Sequence, residues 1–98
     1  MYTVRNVFHA KPGRAKDLVA IFKKAQPHLE SLDFISGVRV LTDCVAKFWT
    51  VVLETQVEDL NAVMDMARTV SQVPEIGEAM AGYVDLVVGG HREVFRIE

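Results

Sequence analysis

The residue whose type and place most invite chemistry is an asparagine in the first strand-like stretch. Tyr2, Val4, Asn6 and Phe8 alternate with Thr3, Arg5, Val7 and His9 at a period of two, which puts Asn6 on the same face as Val4 and Phe8. A carboxamide there is costly to bury unless it is paired. It could satisfy a group of the core, or hold a substrate oxygen or a peroxy group by hydrogen bonds. Glu54, at the end of the third strand-like stretch, is the second candidate. Directed between sheet and helices, it would be a carboxylate of raised pKa suited to act as general base beside Asn6. At a solvated strand end it would pair with a lysine instead.

Other chemistry-bearing residues suggest less. The three histidines, His9, His28 and His91, lack the spacing of metal ligands, so no metal site is expected. His9 and His91 fall at strand ends, where an imidazole can serve as acid or base near neutral pH. Cys44 is the one cysteine, which excludes an internal disulfide and a thiolate cluster within one chain. No cofactor is expected: Gly89-Gly90 lacks the strand-turn-helix context of a phosphate loop and reads as a bulge. Met64, Met66 and Met80 suit adaptable core packing or the wall of a hydrophobic pocket.

The elements that must position these residues follow from periodicity and punctuation. Tyr2 to His9 is the first strand; after Lys11-Pro12-Gly13, the residues Ala15, Leu18, Val19, Phe22 and Ala25 predict a helix from Arg14 toward His28, with Pro27 in its last turn. Val38 to Thr42 and Phe48 to Glu54 form an antiparallel pair around a loop at Asp43 to Lys47. Thr55 and Glu58 make a capping box before a helix carrying Leu60, Val63, Met64, Ala67 and Val70. Pro74 opens a short third helix bearing Ile76 and Met80. Gly82 releases Gly82 to Glu98 as one long broken strand, with the part from His91 onward bent at Gly89-Gly90 onto a neighbouring sheet.

The chain has 98 residues, half of them apolar, which predicts a single domain over 1–98. A net charge of -2 with mixed signs offers no basic stripe for nucleic acid and no polybasic segment for a membrane. Nor does any run approach the roughly 18 apolar residues of a membrane span, so a cytoplasmic protein is expected.

The element order predicts an α+β, ferredoxin-like βαββαβ fold: a four-stranded antiparallel sheet with its helices on one face. Tyr2, Val4, Phe8, Val38, Val40, Phe48, Val52, Val84 and Leu86 would face the helices. A ligand pocket between the layers would be lined by Val4, Phe8, Phe22, Met64 and Met80. The other face would carry Val7, Leu41, Trp49, Val51, Leu53, Tyr83 and Val87 among Arg5, Arg39, Asp43 and Asp85, an apolar patch with nothing left to cover it. A homodimer packed sheet to sheet, with exchange of the C-terminal strand, would bury Trp49, Val51, Leu53 and Phe95 and let Arg5 or Arg39 meet Asp43 or Asp85.

The opening strand leading to Lys11-Pro12-Gly13, the passage from Leu53 to Leu60 into a capped helix, and the closing Arg92 to Glu98 resemble the dimeric α/β-barrel superfamily over essentially the whole chain. Within it they resemble the small antibiotic biosynthesis monooxygenases. The resemblance implies a dimeric barrel and a cofactor-independent monooxygenase or isomerase acting on a small apolar, aromatic or quinone-like molecule. The alternative it leaves is a non-catalytic binding or assembly barrel. In the haem-degrading and quinone-forming members a first-strand asparagine faces the pocket, and Asn6 falls there. Val63 and Met80 stand where others place a histidine, and Glu54 where others place a tryptophan. Both departures point away from haem cleavage.

Overall fold

The computed structural model describes all 98 residues. The chain runs β1 (Tyr2–Ala10), α1 (Ala15–Glu30), β2 (Ile35–Thr42), β3 (Thr50–Val57), α2 (Leu60–Ser71), α3 (Pro74–Ala79), a 3-10 turn (Tyr83–Leu86) and β4 (Val87–Arg96). The four strands form one antiparallel sheet in the order β2-β3-β1-β4, and the helices cover one face of it. This is the expected ferredoxin-like arrangement with a short third helix. No helix is long and apolar enough to cross a membrane.

Helix α1 buries Leu18, Phe22, Ala25 and Leu29, one stripe at helical spacing, against the sheet. Pro27 sits in its last turn, and Pro74 opens α3 at a position whose missing N–H costs nothing. Helix α2 begins differently from the capping-box reading. Asp59 is its cap and accepts the Asn61 N–H at 2.9 Å, because β3 continues through Thr55 to Val57 and leaves Thr55 extended. The inward stripe of α2 is built on Val63 and Met66, while Met64 is 81% exposed on its outer side.

The facing of β3 is also the reverse of the expectation. Trp49 adopts a left-handed backbone, Asp43 Oδ1 accepts the Thr50 N–H at 3.0 Å, and the Thr50 hydroxyl donates to Lys47 O at 2.7 Å. These bonds start the strand at Thr50 rather than Phe48, in register Thr42 to Val51 and Val40 to Leu53. Val51 and Leu53 therefore face the helices and belong to the core, while Thr50, Val52 and Glu54 face the other way. Val51 and Leu53 cannot be sheet-face contacts with another copy. Trp49 is not on that face either: with Phe48 it edges a shallow groove beside Ala15 and Val19 of α1.

The closing segment is a strand only from Val87. Gly82 takes a positive φ of 86° that favours glycine, and Tyr83 to Leu86 coil, so Tyr83 packs in the core against Phe8 and Phe22 at ring distances of 6.0 and 6.5 Å. From Gly89 to Arg96 the strand pairs with the chain's own β1, residue against residue. A bulge is present, but at Val88 rather than at Gly89-Gly90: His9 pairs with Gly89 and Ala10 with Val87, leaving Val88 as the extra residue. At Gly90 a Cβ would collide with the backbone oxygen of Val7, whereas at Gly89 nothing lies within 4 Å. Gly90→Ala is thus expected to lower stability by about 1–3 kcal/mol, as overpacking does, and Gly89→Ala to change it by less than about 0.5 kcal/mol. Urea unfolding of the two variants checks the contrast; equal effects would contradict the close approach of β4 to β1.

Candidate functional site

Between α2 and α3 on one side and the β1–β4 half of the sheet on the other lies a cavity of about 750 Å³. Its size is that of a small-molecule site. Met66, Val70, Ile76 and Met80 line it from the helices, and Phe8, Leu53 and Val87 from the sheet. Polar side chains are few. Asn6, Thr55 and Arg92 sit on the sheet wall, Ser71 and Tyr83 at the periphery, and no aspartate or glutamate lines it.

The sheet register assembles the polar cluster. Asn6 pairs with Leu53 on one side and Arg92 on the other, and cross-strand partners hold their Cβ atoms about 4.5–5.5 Å apart on the same face. The Arg92 Nε–H donates to Asn6 Oδ1 at 2.7 Å. That bond orients the carboxamide and leaves its NH2 free to donate. Thr55 is 2% exposed, lines the same cavity, and its hydroxyl has no partner. A buried hydroxyl without a bond is uncommon enough to mark a place where a polar ligand atom would be welcome.

Several residues expected in the site lie elsewhere. Phe8 and Met80 line the cavity, but Val4 and Phe22 are wholly enclosed in the core and do not reach it. Met64 points away, and Met66 takes its place. Glu54 lies on the opposite face of the sheet from Asn6, so it cannot be a general base beside that residue. It is 4% exposed and accepts the Arg39 Nε–H at 2.8 Å, an arginine rather than the lysine of the alternative reading. Arg92 and Thr55 were not legible as site residues without the strand register, whereas Met66 was among the methionines expected to suit a pocket wall.

The open face carries its own order. Arg39 pairs with Glu54, Glu54 with Arg5 and Arg5 with Glu93, which makes one row of alternating charge across all four strands. Arg5 and Arg39 thus find their acids within the chain, in Glu93 and Glu54, and not in Asp43 or Asp85. The next row is Leu41, Val52, Val7 and His91. Phe95 stands on this face, 54% exposed, opposite Thr3. His9 and His91 come together here, ring centres 6.1 Å apart, with His91 Nε2 3.0 Å from Glu93 Oε2.

Comparison with known proteins speaks to the fold. No protein-family model and no curated protein sequence matches the chain. Solved structures do. A protein from Bordetella bronchiseptica, named as a candidate antibiotic biosynthesis monooxygenase, is 16% identical with a TM-score of 0.79, over 99% of this chain and 96% of that one. A structure named antibiotic biosynthesis monooxygenase is 10% identical with a TM-score of 0.75, over 100% and 99%. An uncharacterized NIPSNAP domain protein from Burkholderia xenovorans is 10% identical with a TM-score of 0.80, over 100% and 95%. At such identities the likeness is one of fold, and it extends over the whole chain.

Desolvation first, and then the nearby charges of Lys47 and His91, hold the His9 pKa below its ordinary value of 6.5. The folded state therefore favours neutral His9, and at acid pH the unfolded chain binds the extra proton. The resulting stability is complete above the ordinary value and is lost as pH falls from it through the lowered one. His9→Gln is expected to reduce the loss of stability between about pH 7.5 and about pH 5.5. Urea midpoints at the two pH values measure it, and an unchanged slope would remove His9 from the account.

Proposed function

We propose that the protein binds a small, largely apolar molecule, aromatic or quinone-like, in the cavity between sheet and helices. There it acts on the molecule as a cofactor-independent monooxygenase or related enzyme. The observation that carries this reading is the cavity itself, mostly apolar, with one hydrogen-bonded polar pair, Asn6 with Arg92, on its sheet wall. A ring lodged against Met66, Met80 and Phe8 would present an oxygen to the free N–H donors of that pair. Donors fixed in advance stabilise charge that develops on such an oxygen. The fold shared with structures named as antibiotic biosynthesis monooxygenases supports the reaction class. The reading places the protein in the cytoplasm, where the exposed Cys44 stays a free thiol.

A second reading, binding without catalysis, is favoured by one fact: with Glu54 on the far face, the cavity contains no carboxylate to serve as base. The two readings separate by experiment. A panel of bicyclic phenols and quinones should raise the melting temperature, because a ligand of the native state stabilises it by mass action. Ala67→Trp, at the cavity wall, should abolish the shift. Oxygen uptake with a dihydroxynaphthalene should be lowered at least about tenfold by Asn6→Leu. Binding without uptake would leave the non-catalytic reading, and no shift with any ligand would end both.

We also propose that two copies pack through their open sheet faces. The support is electrostatic rather than a greasy patch, since Val7 and Val52 are already buried within the chain. A two-fold axis parallel to the strands, between β3 and β1, sets Arg5 of one copy over the position of Glu54 in the other, and Arg39 over Glu93. Each charge in the row then meets its opposite, while Leu41 and Phe95 gain cover. Sedimentation equilibrium at micromolar concentration should give twice the chain mass, and Leu41→Asp should give a monomer. A monomeric unmodified protein would rule the pairing out.

A further inference from the structure

Arg92 is the arginine that the fold leaves without an acid. Arg5, Arg14, Arg39, Arg68 and Arg96 each lie within ion-pair distance of a carboxylate, namely Glu93, Asp17, Glu54, Asp65 and Glu98. Arg92 has instead a neutral partner, the Asn6 carbonyl, which takes its Nε–H. That geometry occupies the side of the guanidinium and leaves its two terminal nitrogens unengaged by the protein. A carboxamide is well suited to the task. It holds the cation in place through one hydrogen bond and does not neutralise it, as an aspartate would.

The surroundings leave the charge standing. The cavity that Arg92 borders is walled mostly by apolar side chains, its other polar lining residues being Asn6, Thr55, Ser71, Tyr83 and His91, and it contains no aspartate or glutamate. On the same sheet wall the buried Thr55 hydroxyl has no partner. An exposed cation with a neutral partner at the edge of a mostly apolar chamber describes the two ends of a ligand: a greasy body within and an acceptor-rich, negatively charged head at the sheet wall. The terminal nitrogens of a guanidinium match the two oxygens of a carboxylate in a planar fork.

We infer that the ligand of this cavity carries an anionic oxygen group, a carboxylate foremost, gripped by the terminal nitrogens of Arg92. Asn6 is then the positioning residue that aims the fork. The inference rests on the reading of the cavity as a small-molecule site and adds the chemical class of the ligand's polar end. It also separates Arg92 from a surface arginine held in place for stability, which would be indifferent to the charge of a bound molecule.

A matched pair of probes tests it: naphthoate and naphthamide, equal in ring and nearly so in shape, differing in charge. Titration calorimetry on the full chain should show naphthoate binding about tenfold more tightly. The ratio of the two affinities should fall to near one in Arg92→Met and to an intermediate value in Arg92→Lys, which keeps the charge but not the fork. Asn6→Asp is the telling variant. It keeps the size and the hydrogen bond, supplies Arg92 with an acid, and should erase the preference with a melting temperature close to that of the parent. Equal binding of both probes to the parent overturns the anion assignment and leaves the cavity reading standing, as does a preference that survives Arg92→Met. Failure of both probes to bind overturns the cavity reading and this inference together.

Discussion

The register of β1 against its two neighbours is the constraint from which the other features follow. Because β1 is central and antiparallel to both β3 and β4, its residues from Tyr2 to His9 are flanked on both sides. Asn6 takes Leu53 and Arg92; Arg5, one step away, takes Glu54 and Glu93. A slip of one residue in β4 would turn Arg92 to the open face and set a glutamate beside Asn6 in the cavity. The bulge at Val88 and the close passage of Gly90 over the Val7 carbonyl hold that register in place.

Consecutive residues of one strand thereby serve opposite environments. On the open face the guanidinium of Arg5 is matched by acids, and Glu54 tolerates near-complete burial because Arg39 donates to it and Arg5 lies directly across the ladder. On the helix face Arg92 is matched by a neutral amide. The charge of the first arginine is spent within the sheet, and that of the second is left available. The asymmetry does not come from exposure alone, since the exposed Arg96 at the end of the same strand still finds Glu98.

Much of this architecture is legible in the amino-acid order, and what is not has a physical reason. β1 alternates cleanly, the α1 stripe is regular, and Pro74 marks the start of α3, so those elements declare themselves. In β3 the run Val51, Val52, Leu53 is apolar on both sides, and a period of two cannot choose which parity faces the helices. The choice is made by Trp49, whose left-handed backbone no periodicity signals, and by two hydrogen bonds of the loop. The spacing of Thr55 and Glu58 imitates a cap, yet the strand outlasts it. Asn6 stood out because a polar residue interrupted an apolar face. Arg92 did not, because an arginine near a terminus looks like any solvated charge until the pairing with Asn6 is known.

The composition of the cavity also bears on what chemistry it could support. With no carboxylate within its walls, a proton must leave a bound substrate through the substrate's own acidity. Burial among Met66, Ile76 and Met80 opposes ionisation of a phenol or enol. A nearby guanidinium favours it, by less than in a dry site because Arg92 is exposed to solvent. At the sheet wall, beside Arg92 and the Asn6 amide, the second effect acts on a ring oxygen while the first acts on the ring. A phenol oriented with its oxygen to β1 and β4, where Arg92 reaches solvent, would give up its proton to water more readily than one oriented the other way. On that view Glu54 is not a catalyst displaced from its post. It serves the opposite face, and what the cavity wall presents is a single positive charge that no acid of the chain meets.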